Sequence, residues 1–254
     1  VITRDAAAQL AECLASVPFA GEIVVVDSGS EDHTVEIATR FGARVLSQTW
    51  LGFGPQKNFA VKQARHDWVL CLDADESLSP QLASSVRAAF ANGAPPAAIA
   101  GYTMARRNRF LGRWLAHGEG YPDWNLRLFD RRRACWSDDP VHENVVADGH
   151  VERIEGDLMH ASAESLDAYM AKQNRYTTLQ AEALHARGGR AGVAQLVASP
   201  LVRFLRFYVL KLGFLDGVAG LVHIAIGCQN SFMKYAKLRA LELQARDAAR
   251  GVAK

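Results

Sequence analysis

The chain has 254 residues, 49% of them hydrophobic, with 29 lysines and arginines against 27 acids. Length and apolar content exclude a wholly disordered chain and suit one large domain, or one domain with an appendage. The net charge of +2 excludes the broad positive field of a general nucleic-acid binder. The four cysteines, Cys13, Cys71, Cys135 and Cys228, have neither metal-ligand spacing nor disulfide-scaffold density, so a reducing cytosol is expected.

Val1-Ile2-Thr3-Arg4 carries no leader pattern, and no signal peptide is expected. Ile23 to Val26 is a β-branched run that stops at Asp27-Ser28-Gly29-Ser30, the pattern of a buried parallel strand. Cap-type and acidic residues then lead into a helix around Val35 to Ala38, closed by Gly42. A second strand is predicted over 43–46, a helix over 58–65, and a third strand over 68–72 that ends in acid. A further helix over 80–91 starts at Pro80 and ends near Asn92-Gly93, before a loop at Ala94-Pro95-Pro96. This alternation predicts α/β architecture with a parallel sheet. From Tyr102 to Val146 short β-like pieces mix with aromatic and basic residues, an antiparallel texture; helical periodicity returns over 165–186, and Gly188-Gly189 reads as a joint. No internal repeat is found.

Asp73-Ala74-Asp75-Glu76 is the sharpest chemical signal. Two carboxylates at the carboxyl end of a buried strand can hold magnesium or manganese where α/β sheets bind ligands; the alternative is a solvated acidic turn capping a helix at Ser77 to Gln81. Asp27 ends an earlier strand and emerges on the same edge, where it could accept from a nucleobase N–H or a ribose hydroxyl, or simply close an Asx-type turn. Lys57 is a cation placed to pair a phosphate, or an exposed lysine at a helix start. Lys172, Arg175 and Tyr176 share one helix face, as a patch for an anionic ligand or as a solvated basic face. Arg106-Arg107-Asn108-Arg109 with Phe110 and Trp114, and Arg131-Arg132-Arg133 with Trp136, suit a phosphorylated sugar or RNA. The near-neutral total charge favours an anionic glycan, so no nucleic-acid partner is expected.

Ile2-Thr3-Arg4, Val25-Val26-Asp27-Ser28-Gly29-Ser30-Glu31-Asp32-His33-Thr34 and Asp73-Ala74-Asp75-Glu76 resemble family 2 glycosyltransferases in order and spacing. Gly52-Phe53-Gly54-Pro55-Gln56-Lys57-Asn58, Leu126-Arg127-Leu128-Phe129 and Val141-His142-Glu143 are similar to the bacterial lipopolysaccharide-core β-1,4-glucosyltransferase group. The resemblance implies a GT-A fold: a Rossmann-like, mostly parallel sheet flanked by helices, with a helical C-terminal appendage. It also implies a UDP-sugar donor, a divalent metal and inversion at the anomeric carbon. Asp27 is then expected to contact uridine, Thr3 to line the base pocket, Gln56 and Lys57 to face the donor, and Asp73 and Asp75 to serve ribose and metal. His160 would close the site toward metal or diphosphate, unless it is a satisfied core histidine, and Lys172 and Tyr176 are expected near the diphosphate or acceptor. Inversion needs a base for the acceptor hydroxyl. Glu143 is the candidate and Asp139 the runner-up, in a segment where His142-Glu143 replaces the family's more familiar Glu-Asp pair; a solvated acidic turn is the alternative.

The expected organisation is a catalytic domain over 1–186, with a nucleotide-sugar half over 1–100 and an acceptor half over 101–186, followed by a helical region over 187–254. Leu201 to Lys211 places bulky apolar groups almost all round a helix, interrupted by Arg203, Arg206 and Lys211. This suits a membrane surface, a dimer interface or packing on the catalytic core, and the lipid-linked acceptor implied by resemblance favours the membrane. The expected activity is transfer of a hexose, glucose from UDP-glucose, to a lipopolysaccharide inner-core sugar at the cytoplasmic face of the inner membrane. A sugar nucleotidyltransferase is the competing enzyme, though a Gly-rich phosphate loop is missing near the start; a non-catalytic glycan-binding protein is the third reading.

Overall fold

The computed structural model describes residues 1–138, 143–162 and 165–252. The chain divides into two units, residues 1–109 with 122–162, and residues 110–121 with those from 163 onward. It begins with β1 (Ile2–Thr3), α1 (Leu10–Ala15), β2 (Val24–Asp27), α2 (Thr34–Arg40), β3 (Arg44–Ser47) and α3 (Phe53–Gln63). β4 (Trp68–Leu70), β5 (Glu76–Leu78), α4 (Pro80–Ala89), β6 (Ile99–Phe110) and the short β7 (Arg113–Trp114) follow. β8 (Asp123–Asp130), β9 (Ala134–Trp136), β10 (Val145–Ala147) and β11 (His150–His160) come next, then α5 (Leu166–Ala186), α6 (Val193–Phe204) and α7 (Gly217–Val252).

In the first unit, β1, β2 and β3 form a parallel sheet in that order. A parallel bridge from Ile2 to Asp73 brings the end of the β4 segment beside β1. The mixed sheet β4-β8-β6-β11-β5 continues from there, with β8 antiparallel to both β4 and β6, β11 parallel to β6, and β5 antiparallel to β11. The N-terminal βα units pair wholly in parallel, with crossover helices covering the strands and Val25 and Val26 fully buried. Cys13, Leu78, Leu82, Met104, Leu128 and Leu158 belong to one buried cluster; Leu10, Leu14, Val25 and Ala38 form another.

Local sequence accounts for several boundaries. Ser79 caps α4 by accepting from the Leu82 N–H at 3.2 Å, with Pro80 at the first helical position. α3 starts at Phe53, five residues before the predicted Asn58. Gly52, at φ 100, supplies the entry turn, and Pro55 sits in the first turn, where its missing N–H costs nothing. β5 and β11 were not predicted. β5 has only three residues, in a segment that reads as a cap, and β11 alternates charged and half-buried residues while depending on β6 and β5 for its partners.

In the second unit, Ser165 caps α5 by accepting from Ala168 N–H at 3.1 Å. α5 and α6 both pack on α7, with Ala181, Ala191 and Leu238 buried among Leu184, Tyr235 and Leu241. α5, grouped on the sequence with residues 1–186, therefore packs with the C-terminal helices. A π-helical turn at Leu205–Leu210 and a 3-10 turn at Gly213–Asp216 lead from α6 into α7. Asp216, 2% exposed, accepts from the backbone N–H groups of Ala116 and His117 at 3.0 and 2.8 Å, and its other oxygen lies 3.1 Å from His117 Nδ1. These bonds fix residues 110–121 in this unit.

Candidate active site

Strand register assembles the site at the carboxyl ends of the parallel strands. Thr3 pairs with Asp27, Ile2 with Asp73, and His160 with both Glu76 and Asn108. Asp27 takes four hydrogen bonds: from the Thr3 hydroxyl at 3.0 Å, from the Gly29 and Ser30 N–H groups at 3.0 and 2.9 Å, and from the Ser30 hydroxyl. Burial alone would raise its carboxyl, but these bonds, led by Ser30, outweigh it and hold the group below the usual carboxylate range. The Asx-type turn is therefore present, at the carboxylate that ends β2. The Ser30 hydroxyl, which can rotate, is the donor most easily exchanged for a ligand.

The Gly52 to Asn58 segment is explained residue by residue. A Cβ on Gly54 would lie 2.1 Å from the Ser137 carbonyl oxygen, so only glycine lets α3 approach that backbone. Gln56 is fully buried, donating to Ser28 Oγ at 3.0 Å and Gln48 O at 3.3 Å and accepting from Leu51 N–H, which ties the β3–α3 loop to the end of β2. Asn58 clamps the Trp136 backbone through two bonds, donating to its carbonyl at 2.8 Å and accepting from its N–H at 2.9 Å. Gly54→Ala is expected to destabilise the protein by about 1–3 kcal/mol through this overpacking, read as a lowered midpoint of thermal unfolding; an unchanged midpoint would show that α3 does not need the close approach.

Held between these contacts, Lys57 is not an exposed lysine. It is 6% exposed, with Nζ 3.0 Å from Asp73, 3.2 Å from Glu143 and 4.4 Å from the centre of the Trp136 ring. Arg127 stands 5.2 Å from the same ring, and its Nη2 donates to Asp73 at 2.9 Å and Glu76 at 2.7 Å. Glu76 is fully buried, accepts from the Asp73 N–H at 3.0 Å and lies 3.6 Å from Arg106, which pairs with Asp123 at 2.7 Å. Charges therefore alternate in sign along Glu143, Lys57, Asp73, Arg127, Glu76, Arg106 and Asp123. Burial opposes ionisation of Asp73, yet Arg127 and Lys57 prevail and hold its carboxyl well below the ordinary range; Arg127, despite its own burial, is pushed up by Glu76 and Asp73.

Asp75 and His160 form the second element. Asp75 Oδ2 lies 3.2 Å from His160 Nε2, while His160 Nδ1 lies 2.7 Å from Asn108 Oδ1. An amide oxygen can only accept, so Nδ1 donates to Asn108, which fixes the ring with Nε2 facing the Asp75 carboxylate. Burial raises the Asp75 carboxyl, and the His160 hydrogen bond and charge outweigh it to lower the pKa. Cys13, one of four free cysteines, is close by with Sγ 3.5 Å from Asp73 O; burial pushes its thiol up to about 12, which leaves it unreactive.

Glu143, Lys57, Asp73, Asp75, His160, Thr3, Asp27 and Gln56 all lie in the first unit. Asp139 lies outside the described residues. Lys172 and Tyr176 are on α5 in the second unit, where the Arg175 guanidinium stands 6.0 Å from the Tyr176 ring. The arginine clusters differ from the sequence reading. Arg132 pairs with Asp67 and Asp130, Arg133 donates to the Ala97, Ile99 and Asp148 carbonyls, Arg107 pairs with Asp157, and Trp136 is 4% exposed. These side chains lock turns and strands rather than line an open cationic patch. Arg127 and Glu76 had no assigned role on the sequence. Their signal was an arginine alternating with apolar residues in Leu126-Arg127-Leu128-Phe129, since a charge on a buried strand must find a partner.

The glycosyl transferase family 2 model matches residues 1–147. An uncharacterised glycosyltransferase of Rickettsia typhi is 30% identical over 257 aligned residues, spanning 97% of this chain and 88% of that protein. A lipopolysaccharide core biosynthesis glycosyltransferase of Rhizobium meliloti is 29% identical over 94% of this chain and 90% of its own length. Among solved structures, a mannosyltransferase of Pyrobaculum calidifontis in complex with GDP-Man and Mn2+ aligns over 99% of this chain and 79% of its own at 18% identity, with a TM-score of 0.48. The chain belongs to glycosyl transferase family 2 and is a glycosyltransferase with the GT-A fold. Membership sets aside the nucleotidyltransferase and non-catalytic readings.

Proposed function

We propose that this enzyme transfers a hexose, glucose from UDP-glucose, to an inner-core sugar of lipopolysaccharide at the cytoplasmic face of the inner membrane, with inversion. The observation that carries the reading is the convergence of Glu143, Lys57 and Asp73 beside Asp75 and His160 at the ends of the parallel strands. The named activity of the Rhizobium meliloti relative supports the acceptor class.

The donor set fits a divalent ion only together with substrate. Among the described residues no group of three metal-ligating side chains comes together, whereas Asp75 and His160 offer one carboxylate and one imidazole, leaving further positions for diphosphate oxygens and water. Asp75 and His160 would hold the ion, with Asp73 adjacent. When bound, it would neutralise charge on the departing diphosphate. Asn108 orients the His160 ring for that role. Thr3 and Asp27 shape the uridine end of the pocket and Gln56 braces its wall, while Asp73, fixed by Arg127 and Lys57, faces the ribose. Glu143 takes the proton from the acceptor hydroxyl as that oxygen attacks the anomeric carbon from the face opposite the diphosphate. Lys57 holds the Glu143 carboxylate in place.

Calorimetric titration with UDP, with and without manganese, tests the donor site. The expected result is manganese-dependent binding that Asp75→Ala weakens by more than about tenfold, the loss that even hydrogen-bond partners of metal ligands cause. Binding that is equal without metal, or unaltered in Asp75→Ala, would overturn the assignment.

A further inference from the structure

We propose that the second unit docks on a membrane surface bearing anionic headgroups, through the face formed by α6, the π-helical turn and the start of α7. Twelve of the twenty-four exposed large apolar side chains among the described residues fall between Val193 and Leu221. Val193, Val197, Leu201, Leu205 and Val209 recur every four residues, and their exposures of 76, 62, 56, 48 and 46% make one continuous apolar stripe. Exposure of this extent is uncommon unless something covers it.

Charge identifies what covers it. Between Arg187 and Leu241 the sequence holds one acid, Asp216, and that side chain is turned inward onto Ala116 and His117. Glu119, from the 110–121 segment, pairs with Arg203, and α6, the π-helical turn and the start of α7 themselves present no carboxylate to solvent. Arg206 and Lys211 are exposed beside the stripe, and Arg203, Arg206 and Lys211 all gather around Phe207, at 5.6, 5.3 and 5.9 Å from its ring centre. A second copy of this chain fits poorly, because a twofold interface sets the same patch against itself and would bring Arg206 and Lys211 of the two copies together without an acid from these helices to answer them. Spanning fits poorly too. Val193–Leu210 has 18 residues at mean hydropathy 1.4 and none of that window is buried, but it would carry Arg203 and Arg206 into hydrocarbon, whereas a helix lying flat keeps both at headgroup level. Arg203 is in addition tied to Glu119 and Ser231 within the unit.

The test is flotation of the full chain with vesicles of phosphatidylethanolamine and phosphatidylglycerol, against vesicles of phosphatidylcholine alone, without donor or acceptor so that its outcome is separate from that of sugar transfer. Expected is recovery with the anionic vesicles only, release by alkaline carbonate, and a partition reduced at least about 25-fold in Arg206→Glu/Lys211→Glu, at about fivefold per lost cation. Leu205→Ser/Leu210→Ser should also reduce it. All four positions are exposed, so both variants should keep the wild-type unfolding midpoint. Equal recovery on phosphatidylcholine, resistance to carbonate, or a lipid-free dimer that Leu205→Ser/Leu210→Ser dissociates would each overturn the proposal.

Discussion

Arg127→Ala is expected to cost the protein about 3–5 kcal/mol of stability, the loss typical of breaking a buried ion pair by removing one partner. The guanidinium is 4% exposed and shares Nη2 between Asp73 and a fully buried Glu76. Without it, Glu76 keeps the Asp73 N–H and, as its one cation, Arg106 at 3.6 Å, and Asp73 keeps Lys57. An uncompensated carboxylate in that position must be left desolvated or take up a proton. Acid sensitivity gives a second readout. The Asp73 carboxyl lies below its ordinary value in the folded protein, so its contribution to stability is complete above the normal carboxylate range and is lost as the pH falls through the lowered value. Removing Arg127 raises that value, and the acid-induced loss should move to higher pH. Arg127→Lys keeps a charge without the guanidinium's reach to two acceptors and should fall between wild type and alanine. Denaturant melts at several pH values measure all of this; an alanine variant within 1 kcal/mol of wild type would mean that the network is dispensable.

Glu143→Gln is expected to lower the transfer rate by about 10²–10⁴, the range for loss of a positioned general base, while UDP binding and the unfolding midpoint stay close to wild type. Glutamine has nearly the same shape, and Lys57 retains Asp73 at 3.0 Å, so the surrounding network should survive. Initial rates of UDP release with acceptor present, alongside calorimetry for UDP, separate the two effects. A rate within tenfold of wild type would move the base elsewhere, with Asp139 the next carboxylate to replace. A parallel loss of UDP binding would place Glu143 in the donor pocket instead.

How far the site was legible depended on the reach of each signal. Asp27, Asp73 and Asp75 could be found because a β-branched or apolar run ending in acid states both the strand and the end of the strand that carries the ligand. Lys57 was visible as a cation, but its burial was not, since that depends on Gly54 touching the Ser137 carbonyl and on Asn58 holding the Trp136 backbone. Arg127 stood in a motif without a role, as its partners Asp73 and Glu76 lie more than 50 positions away in sequence. The arginine runs differ for the same reason, because adjacency in sequence suggested a patch while Arg106, Arg107 and Arg132 pair with carboxylates and Arg133 with carbonyls.

From residues alone came the α/β class, the order of the βα units, the helix start at Pro80, the acidic strand ends and the family. These rest on local propensity and periodicity, which act over a few residues and survive without knowledge of the fold. Tertiary structure decided the strands β5 and β11, the early start of α3, the pairing of Glu143 with Lys57, and the inward turn of Asp216 that leaves the C-terminal face cationic and apolar. Each of these depends on a partner distant in the chain, and a buried charge or a short strand has no stable state until that partner is in place.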